Sequence, residues 1–97
     1  MRKIPTSVWI SGVNWRIRRV SDKHPKLEDA TGHCCYRTQT IFLDKSYPTP
    51  TLWAVLTHEL LHAISWGYHE LDLTEETPVN AVAGELMNIA RQLKILE

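Results

Sequence analysis

The segment from Thr49 to Gly67 constrains this chain more than any other. Leu52, Leu56, Leu60 and Ile64 recur at the spacing of one helix face, and Val55, Leu61 and Ala63 widen it. Thr49-Pro50 reads as an N-cap followed by proline at the first helical position, where a missing N–H costs nothing. Gly67 is a C-terminal stop. So apolar a helix is expected to be largely buried, yet its middle carries His58, Glu59 and His62. Burying unpaired polar groups costs on the order of 1–3 kcal/mol each. Something must compensate these three side chains.

Their spacing suggests what. His58-Glu59-Leu60-Leu61-His62 is an H-E-x-x-H pattern. Residues four apart on a helix lie one turn above each other, so two imidazole nitrogens can reach one ion at about 2.0–2.1 Å. Glu59 stands beside the pair. Zinc makes a neighbouring water more acidic, so a carboxylate can complete its deprotonation and later pass the proton to a leaving amine. The pattern predicts His58 and His62 as zinc ligands and Glu59 as general base. The bland alternative is one packed and one exposed histidine with a solvated Glu59. The apolar flanks weigh against it.

The residues before this helix read as strands. Val8-Trp9-Ile10 is short and apolar, and Ser11-Gly12 punctuates it. From Asn14 to Val20, Trp15 and Ile17 alternate with Arg16 and Arg18, the period of a half-buried strand. Arg16, Arg18 and Arg19 are expected on a solvated face. A loop from Ser21 to Gly32 contains His24-Pro25, and His24 and His33 read as ordinary loop histidines. Cys34 to Arg37 and Thr40 to Leu43 are two further strand candidates, with Thr38-Gln39 as the turn between them. A meander of three or four strands is the simplest arrangement. After the helix, Thr77-Pro78 repeats the start signal, and Val79, Val82, Ala83, Leu86, Ile89, Ala90 and Leu93 keep helical spacing. The order predicts a single α+β domain over residues 1–97: a three- to four-stranded, mostly antiparallel sheet, then the histidine-bearing helix, then a C-terminal helix.

Composition excludes several classes. A chain of 97 residues has room for one modest core. Eleven basic residues balance eleven acidic ones, which gives no argument for a nucleic-acid partner or an acidic membrane surface. No apolar run reaches the roughly 20 residues needed to span a bilayer, and none follows Met1-Arg2-Lys3 at signal-peptide length. The only cysteines, Cys34 and Cys35, are adjacent. Neighbours do not readily meet ordinary disulfide geometry, which fits a reducing, cytoplasmic compartment. On a strand they point to opposite faces, so one core and one surface cysteine are expected.

Gln39-Thr40-Ile41-Phe42-Leu43 followed by Thr57-His58-Glu59-Leu60-Leu61-His62-Ala63-Ile64 resembles small phage and prophage zincin-like metallopeptidases, which are similar to minimal gluzincins and to ImmA/IrrE-type peptidases. The resemblance spans about Gly32 to Leu93 and is most specific at the H-E-L-L-H-A-I run. It implies a zincin-like fold, Zn²⁺ as cofactor, a bacterial host cell as setting and a peptide or protein substrate. It also implies a substrate-binding edge strand before the active helix, for which Thr40, Ile41, Phe42 and Leu43 are the candidates.

The third zinc ligand stays open. The metzincin extension needs glycine three and histidine six residues after His62, but Ser65 and Tyr68 stand there; Gly67 and His69 are out of register. The gluzincin pattern takes a glutamate from the next helix. Glu76 precedes Val79, Val82-Ala83 and Leu86-Met87, a run that resembles the corresponding ImmA/IrrE-type pattern. Glu85 lies two turns into that helix, and helix geometry favours it. Glu76 is preferred and Glu85 is the alternative; Glu75, Asp72 and His69 have smaller claims. Tyr68 or His69 could hydrogen-bond a developing oxyanion, and Tyr36 and Tyr47 have weaker claims. Trp53 and Trp66 are expected to pack.

These readings make the chain a zinc metalloendopeptidase that works as a monomer. The rival is a catalytically silent zincin-shaped module that recognises a protein partner through its sheet edge. Between them stands a latent enzyme whose tail past Leu93 covers its own cleft.

Overall fold

The computed structural model of the chain describes residues 3–68 together with Glu85, Asn88, Ile89 and Gln92; for residues 66–68 it describes the backbone alone. Four strands precede a helix: β1 (Ser7–Ile10), β2 (Val13–Val20), β3 (Gly32–Cys35), β4 (Thr40–Asp44) and α1 (Thr49–Tyr68). The expected α+β order holds over this part. The expected C-terminal helix lies mostly outside the described residues.

Strands β1 and β2 form a hairpin with Ile10 opposite Val13, so the loop is Ser11-Gly12 alone. Both residues have positive φ, 50° and 79°. That is the two-residue turn whose twist matches the strands, and glycine takes the second position without strain. Along β2, Trp15 and Ile17 are buried while Arg16 and Arg18 are exposed, as their alternation predicts; Arg19 is exposed too, and Val20 is buried on the opposite face from Trp15 and Ile17.

The sheet is not a meander. Its order is β1-β2-β4-β3, with β2 and β4 parallel and the other two pairs antiparallel. The chain leaves β2, crosses the outer face through residues 21–31, forms the far strand β3, and turns back to insert β4 between β2 and β3. The crossing segment is folded into tight turns, from Ser21 to His24, His24 to Leu27 and Leu27 to Ala30. Its Leu27, only 1% exposed, packs with Val20, Cys35 and Phe42. This is why Cys35 is not the surface cysteine expected of it. Cys34 faces the helix and Cys35 the crossing segment, and both are 7% exposed.

Thr40 to Leu43 therefore cannot be a substrate edge. All five residues of β4 are buried, and its main chain is paired on both sides. A strand covered on both faces reads as a continuous apolar run, and Ile41-Phe42-Leu43 within β4 is such a run. The edges among the described residues are β1 and β3.

Helix α1 lies over the inner face, against β3 and β4, and reaches β1. Leu52, Leu56, Leu60, Ala63 and Ile64 meet Val8, Ile10, Trp15, Ile17, Cys34, Ile41 and Leu43 in one core, with Trp53 and Val55 partly buried against it. The helix begins one residue earlier than its sequence suggests. The carbonyl of Pro48 accepts the first bond, from Leu52 N–H at 3.0 Å. Upstream, Asp44 Oδ1 accepts from Ser46 N–H (2.9 Å) and Ser46 Oγ–H (2.6 Å), closing the strand-to-helix turn. No helix among the described residues is long and apolar enough to cross a membrane.

Candidate metal centre and cleft

The face that α1 turns to the sheet runs through Leu52, Leu56, Glu59, Leu60, Ala63 and Ile64, all buried. His58 and His62 stand one step round the helix and are exposed. The desolvation that the sequence assigns to three side chains thus falls on one. Glu59 is 7% exposed and is the buried carboxylate on α1.

The two histidines converge. Their Nε2 atoms are 3.2 Å apart, with ring planes at 76° and centroids at 4.9 Å. That separation is at the upper end for a hydrogen bond between them. It is also close to the roughly 3.3 Å chord between two nitrogens each about 2.0–2.1 Å from one tetrahedral ion. The pair fits two corners of such a site. Among the described residues no group of three or more His, Cys, Asp or Glu side chains converges as a complete metal set.

Glu85, the alternative third ligand, is not brought to the pair. Its carboxylate accepts hydrogen bonds from Ser11 N–H (3.3 Å) and Ser11 Oγ–H (3.2 Å) at the β1–β2 turn. That contact steadies Ser11 in its positive-φ conformation. Glu76, Glu75, Asp72 and His69 lie outside the described residues, as does the side chain of Tyr68.

Beside the pair, α1 and β3 bound an open cleft of about 230 Å³, lined by His33, Cys34, Tyr36, Glu59 and His62. Glu59 sits close enough to Cys34 and Tyr36 to raise both. Burial pushes the Cys34 thiol up to about 12, helped by the Glu59 carboxylate and by Cys35. Burial also raises the Tyr36 phenol, with Cys34 and Glu59 adding to it. Cys35, on the other face, is lowered by hydrogen bonds from Thr38. His33 lies on a strand rather than in a loop; it flanks the Phe42 ring at 6.5 Å, while His24 stacks on that ring at 5.2 Å and Arg18 approaches it at 5.6 Å.

Close packing builds the cleft floor. A Cβ on Gly32 would meet Val55 Cγ1 at 2.6 Å and Glu59 Cγ at 3.3 Å. Glycine at this strand position lets α1 approach β3 and sets Glu59 against it. The β3 main chain borders the same cleft. The bond from Asp44 N–H to the Thr31 carbonyl (3.0 Å) fixes the phase of the β3–β4 ladder. In that phase His33 and Cys35 bond to β4, while Gly32 and Cys34 turn their N–H and C=O groups outward. The other edge is occupied at Trp9: Gln92 Oε1 accepts from Trp9 N–H and Gln92 Nε2 donates to its carbonyl, both at 2.8 Å. Sequence reasoning missed β3 as the edge and gave Tyr36, which lines the cleft, only a weak claim to a place at the site. The signal for the first was available in the apolar Ile41-Phe42-Leu43 run of β4.

No protein-family model, no curated protein and no solved structure matches the chain.

Proposed function

We propose that the protein is a zinc-dependent peptidase, with His58 and His62 as two metal ligands, Glu76 as the third, and Glu59 as general base. The observation that carries this reading is the convergence of the two Nε2 atoms at 3.2 Å beside a buried carboxylate that opens on a cleft. A zinc ion held there would supply Lewis acidity, polarising a carbonyl and making water more acidic. The chain's own groups do the rest. Glu59 takes a proton from the attacking water and gives it to the leaving nitrogen. Its apolar backing of Leu56, Leu60 and Ala63 leaves the cleft as the carboxylate's route to water. A peptide in extended form pairs with the outward N–H and C=O groups of Gly32 and Cys34, which takes over the role first assigned to Thr40 to Leu43. Neither nucleic acid nor membrane enters this reading, and one chain suffices for it.

The test is Glu59→Gln. The variant is expected to retain zinc and to cleave peptides about 10²–10⁴-fold more slowly than wild type. Cleavage at the wild-type rate would remove Glu59 from the mechanism. A protein that binds zinc and peptides but cleaves none would be the binding module instead.

A further inference from the structure

We propose that His33 sets the substrate preference of the cleft, favouring a peptide with an aspartate or glutamate at the one position opposite it on the β3 edge. This preference rests on the peptidase reading and names the substrate class of that site. The substrate is an extended segment with a carboxylate at a fixed place relative to the scissile bond.

Strand register defines that position. Gly32 and Cys34 turn their N–H and C=O groups outward, so a peptide that adds to this edge bonds to those two residues. In antiparallel pairing, the more stable kind, one peptide residue lies between the two bonded pairs and opposite His33. It makes no main-chain bond to His33, and in such a pair the side chains come closest. Directly opposite side chains share a face of the sheet. Here that is the outer face, because His33 lies across from Phe42 and flanks its ring. The substrate residues before and after it point the other way, towards α1.

His33 lines the cleft and is half-buried. Read across the sheet, its row is Arg18 on β2, Phe42 on β4 and His33 on β3. Arg18 stands 5.6 Å over the Phe42 ring, and His24 stacks on that ring at 5.2 Å. A substrate residue opposite His33 becomes the fourth member of this row. The row itself thus offers a guanidinium and two imidazoles. Lys26 of the crossing segment acts on Cys35, the next outer-face residue of β3. Asp44, two places along β4 from Phe42, is turned to Ser46 and accepts from its N–H and its Oγ–H. Glu28 and Asp29 are exposed in the turns before β3. A carboxylate opposite His33 accepts a hydrogen bond from its ring N–H and lies at the end of a basic row. A lysine there finds no acceptor in the row and meets Arg18's like charge. Opposite charges across a strand pair stabilise it, and like charges oppose it.

The experiment separates binding from cleavage. The zinc-loaded Glu59→Gln protein, which keeps peptides intact, first selects its tightest ligand from a labelled peptide library. Variants of that peptide then carry aspartate, alanine or lysine at each position in turn. Their binding is measured by fluorescence anisotropy to Glu59→Gln alone and combined with His33→Ala or His33→Glu. Cleavage of the same peptides by zinc-loaded wild type is read as kcat/KM. At one position, aspartate should be bound about tenfold more tightly than lysine, and the ratio should shrink in high salt. His33→Ala should bring that ratio within about threefold and His33→Glu should reverse it, with zinc content and thermal melting unchanged. The kcat/KM values of wild type should show the same position and the same sign. A preference that survives both substitutions, or no position with one, would overturn the role of His33 and leave the peptidase reading standing. A wild type that cleaves none of these peptides while the preference in binding follows His33 would overturn the peptidase reading and keep the role of His33.

Discussion

Cys34 and Glu59 share the cleft floor, and the Glu59 carboxylate makes a charge on Cys34 more costly. The consequence is measurable as a dependence of stability on pH. The folded-state value of Cys34 lies near 12, above its ordinary 9.0. Its contribution is fully present below about 9 and is lost as pH rises towards 12, because there the unfolded chain has released a proton that the folded chain still holds. Tyr36 shifts in the same direction. Stability to urea should therefore fall above pH 9, with a slope of at most about 1.4 kcal/mol per pH unit for each group. Cys34→Ala should flatten that slope, whatever it does to stability at pH 7. An unchanged slope would mean that Cys34 is not buried beside a carboxylate. At this scale the sequence was readable where helix geometry alone decides: His58 and His62 meet because they are one turn apart. Burial was not readable. It depends on which side chain faces β3, and that singles out Glu59 while leaving both histidines exposed.

The contact between β3 and α1 decides where that carboxylate sits. Gly32→Ala should push Val55 and Glu59 away, since the added methyl would lie 2.6 Å from Val55 Cγ1, a stiff branched atom. We expect destabilisation of about 1–3 kcal/mol, read as a lowered urea midpoint. Val55→Ala in the same chain should recover part of it. Two effects that simply add would place the strain elsewhere. Element types were largely legible. The β1 strand announces itself by its short apolar run, β2 by alternation, and α1 by its proline start and apolar spacing. Strand order was not, because nothing local to Cys34 or Thr40 records that the 21–31 segment crosses the sheet before β3 forms. The clue was Leu27 in an otherwise polar loop; it is 1% exposed and covers Phe42.

Over the whole molecule, Glu85, Ile89 and Gln92 close onto the first hairpin. Gln92 is 83 positions from Trp9 and pairs with both of its outward main-chain groups. Glu85 holds Ser11, and Ile89 enters the core between them. Gln92→Ala should cost about 1 kcal/mol and speed hydrogen exchange at Trp9 N–H, with little change at Val8, whose main chain faces β2. Equal protection in both proteins would show that this edge does not need Gln92. With β1 so occupied, β3 is left as the open edge among the described residues, on the same side as the histidine pair. The claim on which all of this turns is that His58 and His62 hold one metal ion together. The direct measurement is the zinc-to-chain ratio, by elemental analysis, of wild type and His62→Ala after equilibration with equimolar zinc at neutral pH and removal of unbound metal. The account predicts a ratio near one for the wild type and near zero for His62→Ala, with the variant still folded. A wild type that retains no zinc, or a variant that retains as much, would contradict it.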